Sequence, residues 1–222
     1  MRTGNIQILR FFANREKETA IFFVVFYLVG ILGMSFEFSY PLFIKLIPFA
    51  LFLSFTGLVF FHASKADLKT LIVFAGIYFT GFIIEALGVN TGKIFGAYSY
   101  GNSLGFKIAE TPLIIGINWL FLIYASSSVF EKFEIKPIYK VFFASIIMLI
   151  YDLVLEQVAP KIDMWHWKND FVPYQNYIAW FVISLVFHSA VKVFKLSTKN
   201  SLAAIILICQ FLFFVGLYLI LT

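Results

Sequence analysis

Along its hydrophobic and polar positions the chain alternates long apolar stretches with short charged breaks. Stretches free of Asp, Glu, Lys and Arg run over 19–36, 46–64, 111–130, 171–191 and 200–222. Two more windows, 70–92 and 141–160, reach the same length only by enclosing acids. About 20 apolar residues span a bilayer as a helix. The pattern therefore predicts an all-α, polytopic membrane protein with about seven transmembrane helices, forming one integral membrane domain over 1–222. Composition agrees: 61% of the 222 residues are hydrophobic and 13% charged, too little polar surface for a soluble domain.

The breaks differ in kind. "ASKADLK", "EKFEIKPIYK" and "KVFKLSTK" are short and basic, whereas the connections after the third and fifth apolar windows are longer and rich in Gly, Trp, Tyr and Asn. Following the predicted helices, Arg2, Arg10, Arg15, Lys17, Lys65, Lys69, Lys132, Lys136, Lys140, Lys192, Lys195 and Lys199 fall on one face. Only Lys45, Lys93, Lys107, Lys161 and Lys168 fall on the other. This asymmetry predicts an N-terminus inside and a C-terminus outside, so the net charge of +5 reflects topology and no nucleic-acid partner is expected. The first apolar stretch lacks a small-residue cleavage site and reads as a retained helix. Residues 4–14, "GNIQILRFFAN", suit either a short amphipathic segment lying on the inner surface or a frayed tail. The single cysteine, Cys209, excludes an internal disulfide.

Four acids change the picture. Ionisable groups inside spans cost at least a few kcal/mol each and are rare unless paired or functional. Glu85, Glu110, Asp152 and Glu156 all fall toward the outer ends of predicted helices. Asp152 and Glu156 are four apart and share a helix face. Two carboxyls that close cannot both ionise cheaply, and a proton donor beside an acceptor is the minimum for acid–base chemistry. Glu110, before Pro112, also suits a plain helix-start acid. The three histidines, His62, His166 and His188, fall at separate places, so neither a histidine-rich oxygenase site nor a zinc site is expected, and no metal or cofactor is predicted. Nucleotide-binding glycine patterns and a lysine in the last helix are absent from the sequence.

Aromatic residues supply the rest. Tyr98, Tyr100, Trp119, Trp165, Trp167, Tyr174, Tyr177 and Trp180 lie in or near the two composed loops. An interfacial belt accounts for part of them. The others suit an apolar cavity whose ring faces stabilise a cation, by roughly 2 kcal/mol or more when desolvated. Acid, base and ring faces together fit protonation of an alkene and capture of the carbocation.

The segments "EALGVNTGKIFGAYSYGNSLG" (85–105), "TPLIIGINW" (111–119) and "DLVLEQVAPKIDMWHWKND...VPYQNYIAW" (152–180) resemble the CruF-like carotenoid hydratases. In that pattern an acid precedes Gly and Thr-Gly, then an FG-x-Y-x-Y loop, Pro and Trp, an Asp-x-x-x-Glu helix, a Trp-x-Trp loop and an Asn before a final Trp. Gln157 stands where the pattern has proline, and Glu110 adds a charge it lacks. The resemblance implies cofactor-independent addition of water across the terminal C-1,2 double bond of a lycopene-like carotenoid, or of one with a single acyclic end. It also implies a bacterial or archaeal cytoplasmic membrane and other membrane enzymes of the carotenoid pathway as partners. One of Asp152 and Glu156 would protonate C-2, with Trp165, Trp167 or Trp180 holding the cation. Glu85 or the other member would deprotonate the water, which Asn176 and Tyr98 would place. Trp119, Tyr100 and Glu110 complete the expected lining. An end-group cyclase using the same protonation and a proton-coupled carrier are the alternatives.

Overall fold

The computed structural model describes residues 15–65 and 67–221, so the amphipathic segment expected at 4–14 lies outside the described residues. Each apolar window yields a helix, and one further short helix forms between the first two windows. The helices are α1 (Glu16–Ser35), the short α2 (Tyr40–Lys45), α3 (Ile47–Phe60), α4 (Leu68–Thr91), α5 (Ile114–Val129), α6 (Pro137–Val158), α7 (Tyr174–Val193) and α8 (Ala203–Leu221). Local signals set their ends. Asp67 caps α4 by accepting from the Thr70 amide at 2.8 Å and the Thr70 hydroxyl at 2.6 Å. Those bonds hold the Asp67 carboxyl below the usual carboxylate range. Gly92 ends the same helix at φ 65°, a left-handed turn that glycine adopts without a Cβ penalty. Pro137 opens α6, at a position where a missing N–H costs nothing.

Five helices, α1, α4, α6, α7 and α8, are long and apolar enough to cross a membrane. The other two apolar windows yield shorter helices of 14 and 16 residues, α3 and α5. At 1.5 Å per residue these rise roughly 21 and 24 Å, against a hydrocarbon core of about 30 Å. The window at 111–130 is shortened because Thr111–Pro112 form a strand, and that at 46–64 because His62 bridges to Asn200. The five long helices expose large apolar residues such as Ile21, Leu32, Ile72, Ile83 and Val186, as lipid-facing surfaces do.

α5 sits at the centre, against α3, α4, α6 and α8. Every residue from Asn118 to Ser127 is buried, which explains a run apolar on all sides of the helix. The two ends of the bundle are tied differently. At one, Tyr40 donates to the Lys161 carbonyl, Lys161 Nζ to the Leu221 carbonyl and Lys107 Nζ to the Tyr100 carbonyl. At the other, Lys192 pairs with Glu131 at 3.0 Å and the Ala63 amide donates to the Lys199 carbonyl.

The expectation of helices alone needs one correction. The long connections carry β1 (Tyr98–Tyr100) and β4 (Trp165–Trp167), paired antiparallel, and β2 (Lys107–Ile108) with β3 (Thr111–Pro112). The β1–β4 pair brings the loop after α4 onto the loop after α6, capping the bundle end that carries the acids.

Candidate active site

Two glycines of α4 prepare the site. A Cβ on Gly81 would meet Trp119 at 2.9 Å, so only glycine lets that ring lie on the α4 backbone. The Trp119 indole N–H thereby reaches Glu85 Oε1, one turn on, at 2.9 Å. A Cβ on Gly88 would meet the Phe95 ring at 2.5 Å, so its absence lets the following loop fold back over Glu85. Strand periodicity then does the aiming. In β1, Tyr98 and Tyr100 point inward and Ser99 outward; in β4, Trp165 and Trp167 point inward and His166 outward. Both tyrosine hydroxyls donate to Glu85 Oε2, at 2.7 and 2.8 Å. Both tryptophan N–H groups donate to Glu156 Oε2, at 3.1 and 2.7 Å.

Asn176, on α7, joins the acids. Its amide nitrogen donates to Asp152 Oδ2 at 3.0 Å and to Glu156 Oε1 at 3.1 Å. Asp152 Oδ1 is buried without a partner. Neither ion pair among the described residues involves these three acids, which are at most 5% exposed. Glu85 and Glu156 are instead surrounded by N–H and O–H donors, the usual compensation for a buried carboxylate. Burial, and after it the Glu85 carboxylate, pushes the Tyr98 and Tyr100 phenols above their ordinary range, so both remain donors. No group of three or more His, Cys, Asp or Glu among the described residues converges as a metal set.

These groups enclose a small cavity. Glu85, Glu156, Asn176, Tyr98, Tyr100, Trp119, Trp165, Trp167 and Trp180 all line it. The space open to the centre of a water molecule is ≈ 20 Å³, enough for about one water. Trp119 and Trp180 stack at 4.4 Å between centroids and 24° between planes, forming one aromatic wall. Of the residues picked from sequence, two sit elsewhere. Glu110 lies exposed in the turn between β2 and β3 at φ 60°, neither at a helix start nor on the cavity wall. Asp152 is fully buried but behind the wall, touching the cavity only through Asn176. Conversely, Phe95, Ile115 and Asn118 line the cavity and escaped the sequence reading. Asn118 had a signal: an amide inside a charge-free span is anomalous for the same reason as a buried acid.

The cap is latched outside the cavity. Asp163 accepts from His166 at 3.0 Å and from the Asn102 amide at 2.9 Å, and its carbonyl accepts from the Ser103 hydroxyl at 2.8 Å. The His166 contact, with the Asn102 amide and Lys107, holds the Asp163 carboxyl below the usual range.

No curated protein and no solved structure matches the chain. Over residues 44–222, which contain the whole cavity, it matches the family described as "Carotenoid biosynthesis protein". The chain belongs to this carotenoid biosynthesis family, and its helices give it the character of a membrane protein.

Proposed function

We propose that the protein is a hydro-lyase that adds water across the C-1,2 double bond of an acyclic carotenoid end, without a cofactor. One observation carries this reading: two buried carboxylates, Glu85 and Glu156, line the same aromatic, water-sized cavity from opposite helices. A proton-coupled carrier needs acids reachable from both sides of the membrane, whereas these lie together at the capped end of the bundle.

Glu156, the member of the α6 pair on the cavity wall, transfers a proton to C-2. Asp152 stands behind it, joined to it by the Asn176 amide nitrogen, which donates to both carboxyls. The tertiary cation at C-1 rests against ring faces of the cavity lining, among Trp165, Trp167 and Trp180. A water oxygen then bonds to C-1 while one of its protons passes to Glu85. The proton taken up by Glu85 returns to Glu156 through the next water to enter the cavity that both line, which closes the cycle with one water consumed and no electrons exchanged. The cavity admits a water but not a carotenoid end, so the end group enters with displacement of the β1–β4 cap.

Pigment analysis of a lycopene-making host given this gene tests the proposal. The expected pigment is heavier by one water per reacted end, formed equally without oxygen. An unchanged mass with a ring-closed end group identifies a cyclase and overturns the reading.

A further inference from the structure

We infer that Asn118 holds the attacking water and thereby decides that the cation is hydrated, an assignment that rests on the hydration reading above. Asn118 is 6% exposed, sits on α5 and lines the cavity. Its amide forms no hydrogen bond with any described residue, yet its polar atoms are not sealed off as those of Tyr151 and Gln210 are. A buried amide without a partner carries its full desolvation penalty, which a polar occupant of the cavity relieves. Asn176, the other amide on the wall, is committed already, since its nitrogen serves Asp152 and Glu156.

The carboxylates leave a matching opening. On Glu85, Oε2 accepts two hydrogen bonds and Oε1 one; on Glu156 the division is the same. The Oε1 atoms therefore retain acceptor capacity. In the capture step the Asn118 carbonyl oxygen accepts one O–H of the water. Glu85 takes the other proton as the oxygen lone pair closes on C-1. With the water unplaced, the same cation loses a proton to give back an alkene or closes into a ring.

Turnover of lycopene in deuterium oxide separates the two steps, because protonation marks the end group with deuterium whether or not water is captured. The Asn118→Leu protein, of similar size but apolar, is expected to keep deuterium uptake while its hydrated product falls about tenfold or more. Asn118→Ser, smaller but able to bond water, is expected to recover part of the hydration and is read the same way should the leucine variant fail to accumulate. If hydration and deuterium uptake fall together in folded protein, or neither changes, Asn118 does not place the water. A parent protein that yields no hydrated pigment is a separate result and refutes the hydration reading itself.

Discussion

Each of Glu85 and Glu156 is bound by three N–H or O–H donors and, among the described residues, by no cation. That environment tolerates a charge without quenching it, as proton transfer requires. Glu156→Gln removes the proton donor and Glu85→Gln the proton acceptor while both keep side-chain shape, so each is expected to slow turnover by roughly a hundred- to ten-thousand-fold. Asp152→Asn is expected to slow it as well, because Asp152 helps hold the Asn176 amide that donates to Glu156. Glu110→Gln, in an exposed turn, is expected to leave the rate unchanged. Folded yield in detergent, measured beside activity, separates chemistry from stability. Near-parent turnover by folded Glu156→Gln contradicts the assignment of the acid.

Among the elements, the β1–β4 cap has the most direct test. A Cβ at Gly101 would lie 2.1 Å from the Asp163 carbonyl oxygen, a backbone atom that cannot swing away. Gly101→Ala is thus expected to pry the two loops apart, costing about 1–3 kcal/mol and lowering both the melting midpoint and turnover. An unchanged midpoint contradicts the close approach. The Asp163 latch adds a pH dependence with a definite sign. Its carboxyl is held low in the folded protein, so its contribution is complete above the ordinary aspartate range and is lost as pH falls through the lowered value. Protease cleavage within 159–173 is expected to rise below pH about 4, and Asp163→Asn to show the raised cleavage at neutral pH. The helices themselves were legible, because apolar windows and buried acids are local signals. The cap was not. "YSY" and "WHW" have the period of strands, but three residues cannot announce a sheet until a partner far along the chain, Trp167 for Tyr98 and Trp165 for Tyr100, is known to lie beside them. For the same reason Asp152 could be placed on the helix face of Glu156, while its position behind the cavity wall depends on how α7 packs.

At the scale of the whole molecule, the lysines nearest the cap, Lys93, Lys107, Lys161 and Lys168, all belong to the minority set of the sequence count, whose fifth member is Lys45. If that set marks the outer surface, a cysteine replacing the exposed Asp170 is expected to react with an impermeant thiol reagent in intact cells. One replacing the exposed Glu134 is expected to react only after the membrane is opened. The native Cys209, half-buried in α8, is replaced by serine for the comparison. Labelling of Glu134→Cys in intact cells reverses the orientation.

The central claim, that this molecule takes its oxygen from water by acid–base chemistry alone, is tested most directly by isotope. Cells or membranes making the pigment are supplied with heavy-oxygen water in one arm and heavy oxygen gas in the other, and the end-group hydroxyl is read by mass. Label is expected from water alone, at one oxygen per reacted end. Label from oxygen gas, or a pigment with no new oxygen, contradicts it.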